Sequence, residues 1–476
     1  MPSTFFGLEI GRRALQTSQT ALDVIGQNTS NVNTPGYSRQ VVTLDETDPY
    51  TPPDFTHIRP GELGTGVTIA SINRIRDEFI DRRVYTANSD KGAVDNLRDM
   101  LGRIEQAFNE PGNTGIGQLM TDFFNSFADL SANPESGAVR STVRNRAETL
   151  VAAIHSVNTT LSQIKPEIES EVKVKVDDVN TLATQIANLN KQIHLSLAAG
   201  DHPNDLMDKR GALMDQLSGL VDIQVTDTRN PDTGNPTGEV QINVGGYGLV
   251  QGNTTSPLPA TITTAGNALG LITPTNDTIP LRGGQLYGLV KASTLLDGYQ
   301  SDLDTLVSNL ISTVNAQHRV GYGLDGINGR DFFAGTNAAT IDLGVPVKND
   351  LNAIAAAAPP APPNPFAPGN GDNARTLAAL TSTPIINGFS LDEFYNATVA
   401  RAGADAHTAG TEADSQEKVL NQLKNQQASV SGVSLDEELT NMLQFQRTYQ
   451  AAARVINMMD DALNRIINTL GVATAA

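Results

Sequence analysis

The stretch S-L-D-E-E-L-T-N-M-L-Q-F-Q-R-T-Y-Q-A-A-A-R-V-I-N-M-M-D-D-A-L-N-R-I-I-N-T-L-G, residues 434–471, carries the strongest periodicity in the chain. Leu435, Met442, Tyr449, Ile456, Leu463 and Leu470 recur every seven residues, and Phe445, Ala452, Met459 and Ile466 each stand three residues after a first-row position. Two such rows make an a/d seam over about five heptads, broken only by Glu438 in the second row. Ser434 with Glu437 predicts a capping box, Asp436 and Glu438 complement the positive end of the helix, and Gly471 follows the last periodic residue. At ~1.5 Å per residue the helix is roughly 55 Å long, more than a small domain covers, so it needs a partner helix.

The N-terminal region offers that partner. Leu8, Leu15 and Leu22 are also seven apart, and Ala14, Ala21 and Ile25 widen the stripe. Gly11 and Ser18 occupy the companion row and bury little, so this helix is expected to be marginal alone and ordered by contact. Further helical spacing runs through Val94, Leu97, Leu101, Ile104 and Phe108, then from Leu161 to Ile193, then through Leu296, Tyr299, Leu303, Leu306, Leu310 and Val314. Between about 221 and 285 the pattern changes to alternation, clearest at Val240, Ile242 and Val244, and Gly245-Gly246 before Leu249-Val250 predicts a hairpin. The segment P-P-A-P-P-N-P-F-A-P, residues 359–368, reads as a linker or exposed loop.

The expected fold is therefore mainly α with an inserted β-rich domain: an elongated, multi-domain chain whose N- and C-terminal helices pair as a coiled coil, with a helical rod domain and an outer β domain. The divisions drawn from the pattern are 1–40, a terminal helix with the turn that follows it; 41–220, the first helical part; 221–285, the β-rich insert; 286–320, the helical return; 321–415, a loop-rich region; and 416–476, the last helical part.

Composition narrows the chemistry. A chain of 476 residues exceeds one hydrophobic core, and no apolar run approaches the length that crosses a bilayer. The start, M-P-S-T-F-F-G-L-E-I-G-R-R, lacks the basic-then-apolar order of a cleavable signal, which by itself points to the cytoplasm. Without cysteine there is no disulfide framework, thiol nucleophile or Cys-ligated metal. A net charge of -19, with no basic stretch interleaved with aromatics, makes nucleic acid an unsuitable partner. Residues 1–44 and 434–476 are near neutral, +1 and -2, so the acidity is concentrated between them.

After the first helix comes N-T-S-N-V-N-T-P-G-Y-S-R-Q, Asn28 to Gln40, in which Thr34-Pro35-Gly36-Tyr37 has Pro and Gly where a type II turn wants them. The string, with Asn28, Asn31, Asn33, Thr34, Pro35, Gly36 and Tyr37 at its heart, resembles the signature of the flagellar axial proteins, the rod, hook and hook-associated subunits. Y-S-R-Q after Gly36, P-N-D-L-M-D-K-R at 203–210, N-A-Q-H-R-V-G-Y at 315–322 and F-Q-R-T-Y-Q-A-A-A-R-V-I at 445–456 look like the first hook-associated protein family. Gln27 and Thr29 depart from that family's pattern, and residues 340–415 match nothing recognisable.

The resemblance implies a structural subunit that leaves the cytoplasm through the flagellar export apparatus, with a chaperone on its C-terminal region. It further implies a ring or helical layer of copies at the extracellular hook–filament junction, between the hook protein and a second junction protein, assembled through the paired terminal helices. Rod or hook subunits, a peptidoglycan-cleaving enzyme and a cytoplasmic coiled-coil adaptor are the alternatives. No cofactor, metal or catalytic residue is expected. The six histidines, at 57, 155, 194, 202, 318 and 407, show no metal-ligand spacing. Asn204 and Asp205 are expected to cap a helix with Arg210 near enough to pair with the acids, and His318 to be hydrogen-bonded. Asp325, Asn328 and Asp331 lack calcium-loop spacing, and Gly246, Gly248 and Gly252 read as hairpin glycines. Asp460-Asp461 reads as a solvated pair.

Overall fold

The structure, a computed structural model, describes residues 5–49, 63–108, 115–263, 270–273, 277–360 and 367–471. Helix α1 runs Phe6–Ser30, and after a turn β1 (Gln40–Glu46) pairs antiparallel with β2 (Val67–Arg74). Helices α2 (Glu78–Phe108), α3 (Ile116–Ala132), α4 (Gly137–Ala198) and α5 (Asn204–Leu220) follow. Strands β3 (Gln224–Arg229), β4 (Pro236–Val244), β5 (Tyr247–Gln251) and β6 (Thr254–Thr255) form an antiparallel sheet in that order. A second sheet has β7 (Ile262–Thr263), β8 (Gly270–Ile272) and β9 (Thr278–Pro280). Then come α6 (Gly284–Val320), the pair β10 (Phe333–Ala334) and β11 (Asp342–Leu343), and helices α7 (Val345–Asn349), α8 (Asp372–Ala379), α9 (Leu391–Ser431) and α10 (Leu435–Gly471).

The chain divides into two compact units. One comprises Met1–Asn88, Val179–Pro257 and Lys418–Ala476; the other comprises Ser89–Asp178 and Leu258–Glu417. In the second unit the periodic apolar residues of α2 from Val94 to Phe108, of α4 from Leu161 to Val176 and of α6 from Leu296 to Val314 are buried, as their spacing predicts. Phe123 of α3 packs against Phe124, Phe127, Phe332 and Phe333 with ring centroids 5.2 to 5.5 Å away. The loop between β10 and the end of α6 is tied to α6 by side chains. Asn315 Oδ1 accepts from the N–H groups of Phe332 and Phe333, both at 2.9 Å, and Nδ2 donates to Phe333 O at 2.8 Å. His318 Nδ1 donates to Arg330 O at 2.8 Å and Nε2 accepts from Ala355 N–H at 2.9 Å, which fixes the neutral tautomer.

In the first unit the β4–β5 hairpin closes through Gly245-Gly246, at φ +55° and +87°, the two left-handed positions that a two-residue turn of this kind needs. Val240, Ile242 and Val244 are buried. Leu420 and Leu423 of α9 join Ile80, Val84 and Ala87 of α2 in a core cluster.

Two stretches differ from the sequence reading. Residues 41–46 and 67–74, placed with the helical part, belong to the β1–β2 ribbon, whose short strands carry no continuous alternation. Residues 391–415, placed in the loop-rich region, are helical; α9 buries mainly small residues there, Ala402, Ala409 and Ala413, which give no apolar stripe to read. Residues 361–366 of the Pro-rich segment, and His57, lie outside the described residues.

Candidate assembly interface at the terminal helices

Helices α1 and α10 pack along their lengths. A Cβ on Gly7 would lie 2.3 Å from Met459 Cε, one on Gly11 2.7 Å from Ile456 Cγ1, and Asn28 Nδ2 reaches Glu438 Oε2 at 3.1 Å. Numbers rise on one helix as they fall on the other, so the pair is antiparallel. On α1, Leu8, Leu15 and Leu22 are partly buried, while Gly11, Ser18, Ala21 and Ile25 are buried. On α10, Ala452 is buried and Met442, Phe445, Ile456, Met459 and Leu463 are partly buried. Leu435, Tyr449 and Ile466 remain 46%, 38% and 45% exposed, so these three of the expected seam face mainly outward. The side chain of Leu470 lies outside the described ones.

Gly7 and Gly11, having no side chain, let the backbone of α1 approach until the larger Met459 and Ile456 fill the space. One expectation about this pair needs correcting. Glu438 does not break the second row. It is 2% exposed and occupies its seam position. Its Oε1 accepts from Arg39 Nε at 2.8 Å and its Oε2 from Asn28, while Arg39 Nη1 reaches Glu437 Oε2 at 2.6 Å. The capping box expected from Ser434 and Glu437 is therefore replaced by an ion pair from Glu437 to the turn.

The turn after α1 is built around Asn28, which is 1% exposed. Its Oδ1 accepts from Tyr37 Oη at 2.8 Å and Gln40 N–H at 3.0 Å, and its Nδ2 donates to Gln40 O at 2.8 Å as well as to Glu438. Burial and the nearby acids Asp205, Asp208 and Glu438 push the Tyr37 phenol up to about 12, so it stays a donor. Asn31 caps α1 through Nδ2 to Gln27 O at 3.0 Å and accepts from Thr34 Oγ1 at 3.1 Å. Tyr37 N–H bonds Thr34 O at 3.2 Å across Pro35 and Gly36, and Gly36 has φ +80°, which gives the type II turn its spacing predicts. Asn33 is exposed.

Helix α5 holds the turn from the other side. Asp208 accepts from Ser38 N–H at 3.0 Å, Ser38 Oγ at 2.8 Å and Arg74 Nη1 at 2.8 Å; Asp205 accepts from Gln27 and Gln40. No side chain caps α5, and Arg210 pairs with neither acid. Arg210 Nη1 instead donates to Asn190 Oδ1 at 2.9 Å and Gly238 O at 2.5 Å, tying α4 to β4, and burial holds its guanidinium down at about 10. The capping expected of Asn204 and Asp205 fails because other partners take these side chains: Asn204 Nδ2 donates to Ile72 O of β2 at 2.8 Å, and Asp205 accepts from Gln27 and Gln40.

The remaining candidates are accounted for by packing. His194 Nδ1 bonds Thr237 O at 3.1 Å; Asp325 pairs with Arg330 at 2.7 Å and Asp331 with Arg319. Asp460 and Asp461 are exposed. Among the described residues no group of three His, Cys, Asp or Glu is placed to hold a metal, and no helix is long and apolar enough to cross a membrane. Sequence reasoning missed Ser38, Arg39, Asp208 and Glu438 as partners. Glu438 left a signal as a charge standing on an apolar row, and Ser38, Arg39 and Asp208 lie in the family-like stretches 37–40 and 203–210.

Residues 8–37 match the flagella basal body rod protein family, 101–333 the flagellar hook-associated protein FlgK helical domain, and 425–469 the flagellar basal body rod FlgEFG protein C-terminal family. The flagellar hook junction protein FlgK from Burkholderia pseudomallei has a similar fold, with a TM-score of 0.63 at 18% identity over 74% of this chain and 100% of that one. The flagellar hook-associated protein 1 of Salmonella typhimurium is 26% identical, with 95% of this chain and 98% of that protein covered. That of Bacillus subtilis is 32% identical, with 99% of each covered. Matched from end to end at that identity, the chain belongs to the flagellar hook-associated protein 1 family.

Proposed function

We propose that this chain is the structural subunit that joins hook to filament, polymerising as a ring or helical layer through the α1–α10 pair, and that it is not an enzyme. One observation carries the reading. After α1 is seated, α10 still presents Leu439, Leu443, Met458 and Ile467 to solvent, each more than half exposed, as well as Leu435 and Ile466. A helix apolar on both flanks fits a site with neighbours on more than one side. The partners in this reading are further copies, the hook protein, the second junction protein, the export apparatus and a chaperone on the C-terminal region. The location is outside the cell at the hook–filament junction.

Fractionation tests it. The protein should be found in sheared hook–basal-body preparations, and a purely cytosolic pool in motile cells would reject the junction role. Purified protein should leave a cell-wall suspension uncleared; clearing that one acid-to-amide change abolished would establish an enzyme instead.

A further inference from the structure

A seven-residue repeat does not define its own alignment. Leu8, Leu15 and Leu22 on α1, and Met442, Ile456 and Leu463 on α10, would again meet apolar partners if one helix slid by seven residues. The seam contains one charged feature that does not repeat, the carboxylate of Glu438, 2% exposed between Arg39 Nε at 2.8 Å and Asn28 Nδ2 at 3.1 Å. Arg39 is itself anchored by its backbone: its N–H donates to Ser431 O and its carbonyl accepts from Ile75 N–H, both at 2.8 Å.

We propose that Glu438, Arg39 and Asn28 form a register lock: positioning residues that fix which alignment of α1 and α10 is populated. With residue 28 opposite 438, sliding α10 by one heptad toward the start of α1 would bring Glu438 opposite Ala21, which is 1% exposed and offers no donor. The carboxylate would then be buried without Arg39, and an unpaired buried charge is strongly disfavoured where a paired one is tolerated. Leucine at 438 would remove that penalty and leave the slipped and observed alignments closer in free energy. The lock bears on assembly only through the proposed use of the α1–α10 pair as a polymerising surface, but it is testable without it.

The chain contains no cysteine, so engineered pairs read the register directly. Gly7→Cys with Met459→Cys samples the observed alignment, and Gly7→Cys with Ala452→Cys samples the one-heptad slip. In the full-length monomer only the first pair should close to a disulfide; with Glu438→Leu added, the second should close as well. Failure of the second pair to close in that background would assign the register to the glycine contacts and overturn the lock. Independently, Arg39→Ala should raise amide exchange in α1 on the order of a hundredfold by leaving the acid unpaired, and adding Glu438→Leu should restore protection. Absence of that restoration would likewise overturn the proposal, whereas loss of an ordinary packing contact would be deepened by the second change. Filament attachment is scored separately: a normal register without attachment would count against the assembly reading and leave the lock standing.

Discussion

At the scale of single residues, the amides and acids around the first turn act as backbone clamps, and their value lies in using both donors and acceptors. Asn28 uses Oδ1 twice as acceptor and Nδ2 twice as donor, so Asn28→Asp changes almost no volume but turns two donated bonds into repulsions, one of them against Glu438. The expected loss is about 3 kcal/mol, the size seen when a buried charge lacks its partner, measured as faster amide exchange across α1 and β1. His318 is a clamp of the opposite kind, needed uncharged. Burial holds its imidazole down at about 4 against 6.5 in the unfolded chain. The unfolded chain therefore takes up a proton first as pH falls, so this residue's contribution is intact above about 6.5 and is lost between there and about 4. The loss amounts to about 3 kcal/mol. His318→Gln should flatten the pH dependence of the urea midpoint over that window, and an equally steep variant would show that another group is responsible.

At the scale of elements, what was legible in the sequence was whatever repeats. The rows from Leu161 to Val176 and from Leu296 to Val314 gave α4 and α6, and Gly245-Gly246 gave the β4–β5 turn, because burial and left-handed backbone each leave a pattern in residue type. The β1–β2 ribbon, the first part of α9 and the clasp of Asp208 on Ser38 were not legible, because small residues make no stripe and a side-chain bond 170 residues away has no period. The helix α10 was legible, but Leu435, Tyr449 and Ile466 of its expected rows face mainly outward and Glu438, read as a break, is buried by partners far away in sequence. One prediction belongs to this scale. Ile456 packs against Gly11, and Ile456→Asp would place an unpaired charge there at a loss of about 3 kcal/mol, whereas exposed Asn457→Asp should change stability by about 0.5 kcal/mol or less. Filament attachment should fail for the first and persist for the second, with secretion of both monitored separately. Equal attachment by the two secreted proteins would remove Ile456 from the interface.

At the scale of the whole molecule, the two units differ in how their helices are held. The unit of Ser89–Asp178 and Leu258–Glu417 buries long apolar rows and an aromatic cluster, while α1 and α10 share one seam made largely of small residues on the α1 side. A face of Gly7, Gly11, Ser18 and Ala21 buries little area, and at roughly 25 cal/mol per Å² it stabilises little. The outward side of α10 returns nothing until something covers it. The free subunit should therefore exchange amide hydrogens in α1 and α10 on the order of a hundredfold faster than in the buried parts of α4 and α6, since local opening there gives up few contacts. On incorporation into the junction layer the same amides should slow, because neighbours that bind only the folded ends stabilise them by mass action. Hydrogen exchange on dilute monomer and on isolated hook–filament junctions measures both halves. Protection of α1 and α10 in the monomer equal to that of α6 would mean that the seam is sufficient by itself, and that the exposed leucines of α10 are not waiting for a neighbour.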